Sequence, residues 1–111
     1  MKSMILAAIA LLALSSLVHA QELPRFDVET HCNTIASFGG NFSNMTYNGC
    51  IDIEQASYNG LKGRWSEVPA AVRRECIDIA TFGGTGDYAT LQGCIDMEMS
   101  AASNQSTFSF D

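Results

Sequence analysis

The motifs that most often identify an enzyme are missing from this sequence. It contains no serine-nucleophile motif, no phosphate-binding glycine loop and no metalloprotease helix. Its four cysteines include no Cys-x-x-Cys pair, the spacing typical of structural zinc sites and of reactive redox thiols. We therefore predict no catalytic residue, no metal ligand and no cofactor.

Basic residues are scarce as well. Six lysines and arginines stand against twelve acidic residues, which gives a formal net charge of -6. A net negative chain repels phosphate backbones and anionic lipids. We expect no nucleic-acid partner and no electrostatic docking to a membrane.

A long apolar run is also absent. The run that opens the chain, Met4 to Leu14, has 11 residues, whereas a bilayer span needs roughly 20. Lys2 precedes it and Val18-His19-Ala20 follows it, so residues 1–20 have the features of a signal peptide cleaved after Ala20. We expect a periplasmic or secreted protein that begins at Gln21 and has no membrane anchor after cleavage. In such a compartment, four cysteines in a short chain predict disulfides.

An internal repeat organises the remainder of the chain. A shift of 44 residues aligns segment 28–54 with segment 72–98 and gives 13 identities in 27 positions, which indicates two copies of one supersecondary unit. In each copy, apolar residues at helical spacing precede a Phe-Gly-Gly sequence, and the glycines favour a left-handed helix end. Ser43 or Asp87 then offers an oxygen that can cap a second helix. Each repeat is therefore predicted to be a helical hairpin.

The hairpin geometry selects one pairing among the three that four cysteines allow. In each hairpin, the two cysteines lie at similar distances from the loop, roughly 10 Å at about 1.5 Å per residue, and hence level with one another on antiparallel helices. We predict the bonds Cys32–Cys50 and Cys76–Cys94.

The predicted fold is all-α, with two tandem disulfide-stapled helical hairpins packed as a small four-helix domain. Its predicted segments are a signal peptide (1–20), a first hairpin (21–60), a linker (61–66), a second hairpin (67–102) and a flexible tail (103–111). The glycines at 60 and 63 are expected to end the second helix, and Ser66 to cap the third. The recurrence of Gly49 and Gly93 before a cysteine suggests close contact between helices at these positions.

Glu54 and Glu98 occupy the same position in the two repeats, one helical turn after a cysteine. A structural role would be an ion pair with Arg73 or Arg74, or the capping of a neighbouring loop. A catalytic role would require the two carboxylates to meet across the repeat interface as an acid/base pair. The structural interpretation is preferred, because buried ion pairs alone do not indicate function.

The remaining candidate side chains also have a structural and a functional interpretation. His31 is adjacent to Cys32 and therefore points about 100° away from it on a helix, which does not favour a shared zinc site. The five aromatic residues of interest are interpreted as the core that joins the hairpins, with a ligand groove as the alternative. They are Phe38, Tyr58, Trp65, Phe82 and Tyr88.

The second repeat resembles a module of short, uncharacterised exported bacterial proteins. The resemblance is carried by the run Val68-Pro-Ala-Ala-Val-Arg-Arg-Glu-Cys76 and by the later residues Phe82-Gly-Gly, Asp87-Tyr88, Leu91, Cys94 and Glu98. The first repeat matches less well, since Asn44 stands in place of the tyrosine and Glu29-Thr30 in place of the arginines. The resemblance implies a periplasmic location and a disulfide-bonded helical fold, without an activity.

Three functional hypotheses follow. The leading one is an exported structural or protein-interaction module, with another envelope protein as its partner. The first alternative is a small acid/base hydrolase that uses Glu54 and Glu98. The second alternative is an acid-stress chaperone that exposes its apolar helix faces at low pH.

Overall fold

The computed structural model describes residues 22–111, and the predicted signal peptide lies outside this range. The described chain is helical throughout its regular structure. Its helices are α1 (Val28–Ala36), α2 (Asn44–Arg64), α3 (Ala70–Thr81) and α4 (Tyr88–Ser103), with a 3-10 turn at Trp65–Glu67 between α2 and α3. The all-α, disulfide-stapled four-helix fold is therefore confirmed.

Three of the four helices begin at a side-chain cap. Asp27 accepts a hydrogen bond from the Thr30 amide, and Ser43 accepts one from the Thr46 amide. Asp87 caps α4 in the same way. Such caps satisfy backbone N–H groups that have no partner within the helix. The predicted caps of α2 and α4 are confirmed.

The predicted linker over 61–66 is wrong, because α2 continues through Gly60 and Gly63 to Arg64. Two helical glycines disfavour the helix by about 1 kcal/mol each. Burial on the same segment outweighs this cost, since Leu61 is fully buried and Trp65 is 7% exposed. Ser66 does not cap the third helix. It lies in the 3-10 turn, and Pro69 occupies the N-cap position of α3 without a side-chain hydrogen bond.

The long helix α2 joins the two hairpins. It packs against α1 and α4, while α3 packs against α4, so the helices lie in the spatial order α1, α2, α4, α3. Glu54 contacts Tyr88 at the start of α4, and Arg64 forms an ion pair with Asp96 further along. The second half of α2 is therefore parallel to α4. The start of α4 therefore lies beside Glu54, about ten residues after the start of α2. The second hairpin is thus shifted along α2 by roughly 15 Å relative to the first hairpin.

The main core lies where α2 meets the second hairpin. It consists of Leu61, Trp65, Val68, Cys76, Ala80, Tyr88, Leu91 and Ile95. In the first hairpin, Cys32 and Ala36 are buried outside this cluster. We therefore expect the first hairpin to depend more on its disulfide than the second does.

Gly49 and Gly93 do not mark a close helix contact. A Cβ atom built at either position meets no atom within 4 Å. Gly86 is different, because its φ is +83° and a Cβ atom there would lie 2.8 Å from the ring of Phe26. Of these three glycines, only Gly86 is required by its backbone conformation and its neighbours.

The substitution Gly93→Ala is therefore expected to stabilise the protein by about 1 kcal/mol, since alanine lowers the entropy of the unfolded chain in an open helical position. The measurement is the free energy of unfolding from urea titration. Gly86→Ala is the contrasting control and should destabilise, because it combines a positive φ with a steric clash. A loss of stability in Gly93→Ala would contradict the open position.

Of the helices in the described range, none combines the length and the apolar character that crossing a membrane requires. Beyond Ser103 the chain has no regular structure, and residues 104–111 are exposed.

Candidate functional site

All four cysteines are in disulfides, with the predicted pairing. Cys32 bonds to Cys50 and Cys76 bonds to Cys94, with Cα–Cα distances of 5.6 and 5.5 Å. These distances are ordinary for disulfides. The described residues contain no free cysteine. The cysteines are thus cross-links between the helices of each hairpin, as expected of an extracellular or secreted protein.

Glu54 occupies the junction between the hairpins. Its side chain is only 3% exposed, and it accepts hydrogen bonds from the backbone amides of Tyr88, at 2.6 Å, and Ala89, at 3.3 Å. A carboxylate at this position accepts hydrogen bonds from two amides at the start of α4, and its negative charge interacts favourably with the positive end of the helix dipole. Of the structural roles expected for Glu54, the structure has the capping role rather than the ion pair with Arg73 or Arg74.

Tyr88 attaches the N-terminal segment to this junction. Its hydroxyl donates a hydrogen bond to the carbonyl of Pro24, at 2.7 Å, and accepts one from the amide of Phe26, at 3.0 Å. Its ring packs against Phe26 and Tyr58, with centroid distances of 4.8 and 5.0 Å. Burial raises the pKa of the Tyr88 hydroxyl above its usual range, and the hydrogen bond from Phe26 partly opposes this rise.

We expect Tyr88 to ionise at higher pH than a free tyrosine. Because the folded-state pKa is raised, the stability contributed by the neutral phenol is complete below the unfolded-state pKa and is lost as pH rises through the folded value. Ultraviolet titration of tyrosinate absorbance should show one delayed component, which disappears in Tyr88→Phe. Identical titration curves for the two proteins, apart from amplitude, would contradict the assignment.

Glu98 does not join Glu54. It is half-buried in α4, ten residues beyond Tyr88, which corresponds to about 15 Å along the helix axis. Within residues 22–111 no helix begins after Glu98, so this carboxylate has no helix N-terminus to cap there as Glu54 does. The structure therefore does not bring together the two carboxylates of the hydrolase hypothesis.

The aromatic residues divide into two groups. Trp65 and Tyr88 belong to the core, and Tyr58 packs against it. Phe38 and Phe82 are each 92% exposed, so the expectation that they join the hairpins is wrong. Each lies within two residues of the end of a helix, α1 ending at Ala36 and α3 at Thr81.

A mixed cluster of ligand-type side chains lies beside the α4 N-terminus. His31 of α1, Glu54 of α2 and the α4 cap Asp87 each place one nitrogen or oxygen atom within 4.8 Å of the other two. Glu54 is buried, whereas His31 and Asp87 are half-buried. The spacing in the sequence did not reveal this cluster, because its members come from three elements and both repeats.

The cluster borders an open cleft. His31 and Asp87 line it together with Ile35, Thr46 and Thr90, and its volume is about 580 Å³. Small solutes can therefore reach the half-buried members of the cluster from solvent.

Comparison of the chain with protein families, curated proteins and solved structures found no match.

Proposed function

We propose that this chain is an exported, non-catalytic module that binds another protein through two equivalent loops. These are the phenylalanine loops, residues 37–43 and 81–87. The observation that carries the proposal is the identical exposure, 92%, of Phe38 and Phe82 at the same position in each repeat. Large aromatic side chains are common anchors of protein interfaces, since they bury a large apolar area on binding.

Each phenylalanine has an apolar neighbour one turn earlier in its helix. Ile35 is 44% exposed and Ile79 is 51% exposed. Each loop therefore presents an exposed isoleucine and an exposed phenylalanine three residues apart, on a hairpin held by a disulfide. A rigid hairpin loses little conformational entropy when its loop docks, which favours binding.

The chemistry of the partner follows from that of the chain. The anchors are apolar and the chain carries a net charge of -6, so the partner should offer apolar sockets on a neutral or basic surface. The proposed compartment is the periplasm or the extracellular space. This location is supported by the features of residues 1–20 and by the two disulfides.

The test is affinity purification from an envelope extract with the oxidised protein as bait. Binding of a defined partner should be lost in the double variant Phe38→Ser/Phe82→Ser and reduced in each single variant. Phe108→Ser is the matched control, because Phe108 is 81% exposed and lies outside both repeats. Equal recovery of the partner by the double variant and the wild type would overturn the proposal, as would recovery of no partner by the wild type.

The acid-stress chaperone is less well supported. Asp27 caps α1, and hydrogen bonds from the Thr30 side chain and amide lower the pKa of its carboxyl group. Because the folded-state pKa is lowered, the stability that the ionised Asp27 cap contributes is fully present above the unfolded-state pKa. It is lost only as pH falls through the lower folded-state pKa. This cap therefore persists into moderate acid. A dye that reports exposed apolar surface should show little change between neutral and mildly acidic pH, whereas a large increase would favour the chaperone.

A further inference from the structure

We propose that His31, Glu54 and Asp87 form a binding site for a divalent first-row transition-metal ion, of which Zn²⁺ is the reference case. One ligand atom from each residue lies within 4.8 Å of the other two. The set supplies one imidazole nitrogen and two carboxylate oxygens. This proposal is independent of the phenylalanine loops.

The fold fixes the cluster from three directions. The Cys32–Cys50 disulfide holds α1 against α2 beside His31, and Glu54 lies one turn beyond Cys50. The packing of α2 against α4 then brings Asp87 to Glu54. Because each residue comes from a different element, the site exists only in the assembled domain.

The ligand atoms of His31, Glu54 and Asp87 need to move only slightly closer together to bind a metal ion. Zinc lies about 2.0 to 2.2 Å from histidine and carboxylate ligands, so tetrahedral ligand atoms are about 3.5 Å apart. Glu54 and Asp87 are held by backbone amides. The His31 backbone amide donates to the Asp27 carbonyl, whereas the His31 imidazole has no hydrogen-bond partner among residues 22–111 and the residue is half-buried. No pair of these ligand atoms exceeds the tetrahedral spacing by more than about 1.3 Å, so small side-chain movements within the cluster would complete the geometry.

The carboxylates keep free acceptor capacity. A carboxylate offers about four lone-pair positions. Glu54 uses two of them, for the amides of Tyr88 and Ala89. Asp87 uses Oδ2 for the amide of Thr90, which leaves Oδ1 open. Both residues can bind an ion without losing their capping bonds.

The charge of the cluster also favours a cation. With neutral His31 it carries two negative charges, and within residues 22–111 neither carboxylate forms an ion pair with lysine or arginine. The N-terminus of α4 contributes roughly half a positive charge. More than one negative charge is left in a partly buried position, where solvent screens it less than at an open surface.

The donor set determines which ions should bind. Imidazole suits zinc, copper, nickel and iron, whereas calcium and magnesium prefer oxygen ligands alone. Three protein ligands leave a coordination position open for water or an external ligand. The cleft beside His31 and Asp87 gives access to that position.

The repeat supplies matched controls. Glu75 stands where His31 does, and Glu98 where Glu54 does. Among the described residues no helix begins after Glu98, and Glu98 belongs to no comparable cluster of metal-ligand side chains. Glu98→Gln therefore removes an equivalent carboxylate without touching the cluster.

The experiment is calorimetric titration of Zn²⁺ into the oxidised, chelator-treated protein prepared without a histidine tag. We expect saturable binding of one ion per chain. His31→Ala and Asp87→Asn should each weaken binding at least about tenfold, since loss of even an outer partner of a metal ligand weakens metal affinity by that factor. Asn still caps a helix, so Asp87→Asn should keep the fold, and circular dichroism checks this for each variant. Glu98→Gln should bind like the wild type.

Two further readouts test the assignment. The visible absorption of bound Co²⁺ should report its coordination and be lost in His31→Ala, and Ca²⁺ and Mg²⁺ should not bind saturably at the same concentrations. Three results would overturn the proposal: no saturable Zn²⁺ binding, unchanged affinity in the folded variants His31→Ala and Asp87→Asn, or equal weakening by Glu98→Gln.

Discussion

Reduction of both disulfides is expected to unfold most of the protein at room temperature. Each bond closes a loop with a sequence separation of 18, and a loop of this size contributes about 3 kcal/mol on the chain-entropy model. Two such contributions equal a large part of the roughly 5 to 15 kcal/mol that stabilises a small domain. Far-ultraviolet circular dichroism with and without reductant measures the loss of helix.

Removal of one disulfide at a time, by replacing both of its cysteines with alanine, should have a different effect on stability for each bond. Cys76 belongs to the main core and Cys94 packs against it, so loss of this bond should lower the global free energy of unfolding. Cys32–Cys50 holds the nine-residue helix α1 to α2, and a helix of that length is unstable alone. Its loss should release α1 first, which hydrogen exchange would detect as reduced amide protection confined to α1. Equal loss of protection across all four helices in both variants would contradict this division.

The hairpins could be predicted because their determinants are local. The repeat placed the cysteines at equal distances from each loop, and Ser43 and Asp87 cap helices through bonds to residues three positions away. Antiparallel helices then left one sensible pairing for the cysteines. Each of these steps depends on residues within a single hairpin.

The arrangement of the hairpins could not be predicted because its determinants are distant in the sequence. The glycines at 60 and 63 favoured a break, but the burial of Leu61 and Trp65 against the second hairpin keeps α2 helical. Phe38 and Phe82 were predicted to be core residues from their size and hydrophobicity. These properties do not show whether another helix lies near enough to cover the side chain. The parallel packing of α2 on α4 also has no local signature, and it alone brings Asp87 to Glu54 and His31.

The same packing makes two identical residues unequal, so Glu54→Ala is expected to have a large effect. The substitution removes a buried carboxylate that binds two backbone amides and leaves the amides of Tyr88 and Ala89 without an acceptor. Hydrogen bonds to charged groups contribute about 1.5 to 3 kcal/mol each, and unsatisfied buried donors are costly. After allowance for the desolvation of the carboxylate, we expect the free energy of unfolding to fall by about 3 kcal/mol, as measured by urea titration.

Glu98→Ala is the matched control, because it makes the same chemical change at the equivalent position of the second repeat. Glu98 is half-buried and has no helix N-terminus to cap, so its loss should change stability by about 0.5 kcal/mol or less. Glu54→Gln should lower the free energy of unfolding by an intermediate amount. The oxygen of the glutamine side chain can replace one acceptor, but its NH₂ group would face a backbone N–H donor. Equal effects of Glu54→Ala and Glu98→Ala would mean that the carboxylates act only through their own helices. A large difference would locate the junction between the repeats at Glu54 and the first turn of α4.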